Sequence, residues 1–181
     1  MYNLFLTAPS GTGKSTIIKK VINDLSIELG GFEVKKCSTK NNKIYFDMVS
    51  FIDKKSNNII GECFKGKRPT SNIYTFENKG VEILNTSLKN RNLIILDEIG
   101  FLEENAENFK DSVRKILNSN KIVLGVLKEF NSPFLNEIRN RPDIYFLPVS
   151  LKNRNQIPNH ILSILKNWNI PVKISKNEMI L

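Results

Sequence analysis

Eight residues near the start, Ala8-Pro9-Ser10-Gly11-Thr12-Gly13-Lys14-Ser15, constrain this chain more than any other part of it. They fit the phosphate-loop pattern G-x-x-x-x-G-K-[ST], known as Walker A, everywhere but the first position. Glycines at 11 and 13 let the backbone turn its N–H groups inward around phosphate oxygens. The start of the following helix adds the positive end of its dipole. Lys14 brings a point charge to the β- and γ-phosphates, and Ser15 offers a hydroxyl to Mg²⁺. Ala8 stands where the pattern has glycine. It is the smallest residue with a Cβ, so the loop can close if φ there is ordinary. Thr16 continues the loop into the helix.

The flanks supply the context such a loop requires. Tyr2–Ala8 reads as a buried strand. Ser15–Leu29 shows helical spacing, with Ile17, Ile18, Val21, Ile22 and Leu25 as an apolar stripe, and Gly30-Gly31 reads as its stop. From Phe32 to Phe64 the texture changes. Ile44–Phe46, Val49–Ile52 and Ile59-Ile60 are β-rich, with Lys55–Asn58 as a polar turn, which predicts a hairpin or small meander. Lys65–Arg68 reads as a basic loop that could meet a phosphate or an acidic acceptor, with a solvated loop favoured, and Glu77–Leu88 as a helix. Further helices are expected at about Glu104–Asn118, at Pro133–Arg139 and at Gln156–Trp168. Strands are expected at Leu93–Leu96, Ile122–Leu127 and Ile144–Val149. This alternation predicts one three-layer α/β domain over 1–181 with a mainly parallel sheet. Residues 32–76 form a β-rich elaboration after the first helix, and 169–181 form a tail.

A second motif lies downstream. Leu93-Ile94-Ile95-Leu96-Asp97-Glu98 is an apolar strand ending in two carboxylates, the Walker B form. In phosphate-loop enzymes the Asp at this strand end supports Mg²⁺. An adjacent Glu is placed to accept a proton from attacking water, and two neighbouring carboxylates can take different roles. In open α/β sheets ligands bind at the carboxyl ends of strands, so both motifs should converge there. The expected metal ligands are therefore Ser15 and Asp97, and the expected catalytic groups Lys14 and Glu98. Arg139 and Arg141 flank the end of a short helix. Either could stabilise charge on the γ-phosphate or be a solvated helix-end charge, and Arg141 is taken as the catalytic candidate. Asn153 and Arg154 follow the last strand. They would pass the nucleotide base if that strand lies beside the first, or else cap a helix.

Composition excludes several other chemistries. The chain has 181 residues and no apolar run near the roughly 18 needed for a membrane span. The N-terminus lacks the basic flank of a signal peptide, and the phosphate loop begins before a cleavage site could fit. Cys37 and Cys63 form no C-x-x-C pair, which argues for a reduced, cytoplasmic setting and for buried thiols. His160 is the sole histidine, too few for a His/Cys zinc site, and no nucleophile elbow accompanies it. The formal charge is +9, which brings nucleic acid into consideration. The lysines are dispersed along the chain, so a solvated basic surface is favoured instead. A monomer is expected.

Several segments follow in an order seen in a known family. The phosphate loop is followed by Leu96-Asp97-Glu98-Ile99-Gly100-Phe101-Leu102-Glu103 and then by Val123-Leu124-Gly125-Val126. Ile138-Arg139-Asn140-Arg141-Pro142-Asp143 and Asn153-Arg154 complete the series. This resembles the small THEP-type nucleoside-triphosphatases, over nearly the whole chain to about Trp168. The family usually has Gly at the loop start and Pro before the second loop glycine, where Ala8 and Ser10 stand here. The resemblance implies a RecA-like, additional-strand P-loop fold. It also implies slow, Mg²⁺-dependent hydrolysis of several nucleoside triphosphates, with Lys14, Ser15, Asp97 and Glu98 in the roles above. Two other readings compete. The loop is similar to that of guanylate kinases, but 32–76 lacks their arginine- and tyrosine-rich acceptor signature. A non-catalytic nucleotide switch, or an RNA-binding protein, would lack the catalytic carboxylate that Glu98 supplies.

Overall fold

A computed structural model describes residues 2–9, 11–39, 41–54 and 57–173. Ser10, part of the expected turn at 55–58 and the tail from 174 lie outside the described residues. The strands are β1 (Tyr2–Thr7), β2 (Leu29–Ser38), β3 (Lys43–Ser50), β4 (Ile59–Phe64), β5 (Thr70–Ser71), β6 (Leu93–Ile99), β7 (Ile122–Leu127) and β8 (Ile144–Pro148). They form one sheet in the order β5-β4-β3-β2-β6-β7-β1-β8. β2, β6, β7, β1 and β8 run parallel, and β3, β4 and β5 extend the sheet as an antiparallel meander. β7 therefore stands between the strand that feeds the phosphate loop and the strand that carries Asp97.

Helices cover both faces of the parallel part, whose strands are near-continuous apolar runs. On one face α1 (Lys14–Asn23) and α6 (Ile157–Asn167) pack over Leu4, Leu6, Ile95, Leu124 and Leu147. Ile17, Ile18 and Val21 of the expected stripe are buried, and Ile22 is packed against them. On the other face lie α3 (Val81–Asn90), α4 (Glu107–Leu117) and α5 (Pro133–Arg139), around Phe5, Phe32, Phe76 and Phe109. A short α2 (Ile73–Thr75) and a π-helical turn (Phe76–Gly80) run into α3, so this helical region starts earlier than the sequence spacing indicates.

Two expectations are corrected. The first helix ends at Asn23, not Leu29, and Gly30-Gly31 lie inside β2. Their role is close approach: Gly31 has φ 83° and a Cβ built on it would lie 1.8 Å from the Ile95 carbonyl oxygen of β6. The thiols are not buried either. Cys37 is exposed and Cys63 partly exposed, because they sit on the far stretch of β2, which pairs only with β3, and on β4 of the antiparallel extension.

Gly31 thus sets the β2–β6 spacing. Gly31→Ala should cost about 4 kcal/mol of unfolding free energy, at the severe end for one substitution. Gly66→Ala, at φ 82° with open space around it, should cost only the left-handed penalty of about 1–2 kcal/mol. Chemical denaturation of both variants checks the difference, and equal losses would contradict the close approach.

Candidate functional site

The phosphate loop follows β1 at the carboxyl end of the sheet. Gly11 and Gly13 both take positive φ, 83° and 95°. Ala8 is buried and keeps an ordinary φ, so the departure from consensus is accommodated. The Lys14 ammonium donates to the carbonyls of Ala8 at 2.5 Å and Pro9 at 2.9 Å, and the Thr12 hydroxyl to Pro9 at 2.7 Å. These bonds close the loop around the lysine. Burial lowers the Lys14 pKa, and Glu98 and Glu129 pull it back up. Gly13 caps α1 with no side chain, which leaves the first-turn N–H groups of the helix for an anion.

The second motif arrives at the same place. The Ser15 hydroxyl lies 3.3 Å from an Asp97 carboxylate oxygen, so the two motifs meet. Asp97 is buried, and burial, reinforced by Glu98, lifts its pKa to about 6. The β6–β7 register slips between Leu96 and Ile99, which leaves Asp97 and Glu98 in a bulge. Within it Glu98 has φ 72°, a left-handed conformation costing a β-substituted residue about 1–2 kcal/mol. The bulge aims the Glu98 side chain into a cleft of about 700 Å³ shared with Ala8, Pro9, Gly11, Gly13, Lys14, Ser15 and Thr16. An ion pair with Lys128, at the end of β7, holds it there.

The pairing of a hydroxyl with a buried carboxylate fits a hard divalent cation, which prefers oxygen donors. No group of three or more His, Cys, Asp or Glu able to hold a metal occurs among the described residues. Such a cation would therefore bind through Ser15, Asp97 and the phosphates of the nucleotide.

The arginine expectation is corrected in part. Arg141 donates to Asp143 at 2.7 and 2.9 Å, to Asn118 at 2.8 Å and to the Leu117 carbonyl at 3.2 Å. Asp143 also accepts from Asn3, so this cluster sits where β1, β7 and β8 begin. The phosphate loop lies beyond the other end of β1, about 20 Å away at strand rise. Arg139 braces the cleft indirectly: its guanidinium donates to the carbonyls of Lys128 at 2.7 Å and Phe130 at 2.8 Å. β8 does pair with β1, the condition set for Asn153 and Arg154. The Asn153 amide, however, donates to the Pro148 carbonyl and accepts from the Ser150 N–H, and neither residue lines the cleft.

Apart from Arg68, raised as part of a loop that could meet a phosphate, sequence reasoning missed the far wall of the cleft. Arg68, Pro69, Phe101, Lys128, Glu129 and Phe130 line it. They come from three separate segments, and only their proximity in the fold marks them.

This geometry agrees with the comparisons. The family model described as NTPase matches residues 3–162. The nucleoside-triphosphatase THEP1 of Thermotoga maritima is 31% identical over 166 residues, spanning 90% of this chain and 95% of that one. The chain belongs to the THEP-type nucleoside-triphosphatase family. The crystal structure of THEP1 from Aquifex aeolicus superposes with a TM-score of 0.74 at 27% identity, covering 92% of this chain and 99% of its own. The solution structure of a human cancer-related nucleoside triphosphatase gives 0.74 at 25% identity, covering 92% and 98%. Membership of this family makes the protein a nucleoside-triphosphatase with a P-loop fold, a class that generally uses a divalent metal. Among the described residues no helix is long and apolar enough to cross a membrane.

Behind the Asp97-Glu98 bulge of this nucleoside-triphosphatase sits Glu103, fully buried and accepting a hydrogen bond from the Gly100 N–H. Burial raises its pKa from the ordinary 4.5 to about 7. A carboxyl raised in the folded state binds more protons there than in the unfolded chain. Its contribution to stability is therefore lost as pH climbs from about 4.5 to 7. Glu103→Gln should gain on the parent protein across that window, by up to about 3 kcal/mol. Urea unfolding of both proteins at the two ends of the window measures it. A pH-independent difference would contradict the buried, neutral carboxyl.

Proposed function

We propose that the cleft hydrolyses nucleoside triphosphates to the diphosphate and phosphate with Mg²⁺, and with little preference among bases. The observation that carries this reading is the Glu98 carboxylate, aimed into the cleft beside Lys14 and Ser15. Ser15 and Asp97 would hold Mg²⁺ together with phosphate oxygens of the nucleotide. When bound, the ion would supply charge neutralisation to the reacting phosphates. Lys14 leaves the loop carbonyls for the same phosphates. Glu98 takes a proton from water as its oxygen attacks the γ-phosphorus. The bond from that phosphorus to the bridging oxygen breaks, and the electrons leave with the diphosphate.

Base selectivity is low because Asn153, the candidate base reader after β8, is committed to its own turn. No N-K-x-D-like guanine reader occurs where Lys152-Asn153-Arg154 stands. Binding comes from the phosphates and the metal. We read the protein as a cytoplasmic monomer that needs no nucleic acid or membrane for this reaction.

Lys14→Ala should nearly abolish turnover, and wild-type phosphate release from the purified variant would contradict the loop's role. Glu98→Gln should separate binding from hydrolysis. Nucleotide titration should show affinity retained or raised, since a negative charge leaves the γ-phosphate region. Single-turnover release should fall about 10²–10⁴-fold. Normal release would remove Glu98 from the mechanism. Loss of binding together with release would make it a structural or metal-holding residue. In competition, a preference above about a thousandfold for one base, roughly 4 kcal/mol, would contradict phosphate-dominated binding.

A further inference from the structure

The loop between β4 and β5 ends at the cleft that the phosphate loop lines. Its turn is closed by the Lys67 N–H donating to the Phe64 carbonyl at 2.9 Å, with Gly66 at φ 82°. Lys65 and Lys67 point to solvent, as the sequence suggested, but Arg68 and Pro69 line the cleft opposite Lys14, Ser15 and Glu98. The loop is solvated as expected, and its last cation, exposed like the lysines, also faces the cleft.

Two phenyl rings seat Arg68. Its guanidinium carbon is 5.2 Å from the Phe101 centroid and 5.6 Å from that of Phe130, and the rings stand 5.7 Å apart. Such contacts engage the faces of a guanidinium and leave its N–H edge free to donate. Both rings are tied to the catalytic carboxylate. Phe101 follows Glu98 by three residues in sequence, and Phe130 follows Lys128, the ion-pair partner of Glu98, by two.

The other arginines are committed or distant. Arg91 pairs with Glu28, Arg114 with Asp111 and Glu137, and Arg141 with Asp143. Arg139 is bonded to loop carbonyls, and Arg154 does not line the cleft. Lys128 is held by Glu98. Among the described residues no carboxylate pairs with Arg68, and its side chain stays solvent-accessible at the cleft mouth.

We propose that Arg68 is a catalytic residue, an arginine supplied in cis by the antiparallel extension to the γ-phosphate as charge builds there. This role rests on the hydrolase reading above. The guanidinium edge donates to the γ-phosphate oxygens most strongly in the transition state, when the breaking bond leaves charge on them and on the bridging oxygen. The Phe101–Phe130 seat keeps the fork oriented. The meander on which the loop rides thereby gains a function: it carries the cation across the cleft from the phosphate loop.

The test uses the full-length protein with Arg68→Ala and Arg68→Lys, the wild type measured alongside. Three quantities are read: single-turnover phosphate release at saturating nucleotide and Mg²⁺, affinity for the diphosphate, and affinity for the diphosphate with aluminium fluoride as transition-state mimic. Arg68→Ala should slow release on the order of 10²–10³-fold, as loss of one transition-state donor does. Diphosphate affinity should stay within about threefold, affinity for the mimic should fall with the rate, and free guanidinium should restore part of it. Arg68→Lys should recover little, since an ammonium lacks the planar fork. Wild-type release from Arg68→Ala would overturn the role. So would equal losses of diphosphate and mimic affinity with the saturated rate kept, which marks plain ground-state binding. If the wild type itself released no phosphate from any nucleoside triphosphate, the hydrolase reading would fall along with this role. An active wild type with an unaffected Arg68→Ala removes this role alone.

Discussion

The cleft depends on a contact between residues far apart in sequence, the Ser15 hydroxyl against the Asp97 carboxylate at 3.3 Å. It can form only if β1 and β6 run parallel and end level with one another, with one strand between them. β7 provides that separation: its register with β1 and with β6 sets Leu4 and Ile95 on either side of Leu124. Two apolar layers then hold the three strands in place, one under α1 and α6, the other under α3, α4 and α5. The parallel sheet buries both faces, so its strands cannot slip without exposing an apolar row. The placement of one hydroxyl and one carboxylate is thereby fixed by the packing of the whole core.

Strain and charge are concentrated where that contact leads. Glu98 is held in a left-handed conformation by a bulge, and Lys128 at the end of the intervening strand answers its charge. Glu103 accepts from the Gly100 N–H beneath it and fixes the turn that follows the bulge. Arg139 holds the carbonyls of Lys128 and Phe130 from outside. A carboxylate on a strained turn can serve the proposed general-base role only if its surroundings leave it one position. Here a lysine, a buried carboxyl and a braced loop share that task.

Much of this was legible in the sequence because it is local. The phosphate loop, the apolar stripe of α1 and the Asp97-Glu98 ending of β6 each sit within a short window where residue type and spacing carry the signal. Gly30-Gly31 was misread because a glycine pair after a helical stripe looks the same whether it stops a helix or lets two strands approach. Only the Ile95 carbonyl against Gly31 decides between them. The cysteines were expected inside because small apolar residues usually are, but Cys37 sits on the stretch of β2 past its pairing with β6 and Cys63 on the antiparallel extension. Arg141 was singled out because it flanks the end of a short helix before the last strand. Its salt bridge to Asp143 puts it at the wrong end of β1, a fact of strand direction that no local pattern contains. The far wall of the cleft, beyond the basic loop that ends at Arg68, was invisible for the same reason. Arg68, Phe101 and Phe130 are dozens of residues apart, and their meeting is a property of the folded sheet.

The central claim is that this cleft delivers water to a γ-phosphate. The most direct measurement incubates the protein with a panel of nucleoside triphosphates and Mg²⁺ in heavy-oxygen water and analyses the released phosphate by mass spectrometry. The account predicts phosphate carrying heavy oxygen from every nucleotide in the panel, with no added acceptor, and no release once the metal is chelated. Release that appears only with an added acceptor, as a phosphorylated product free of solvent oxygen, would contradict it.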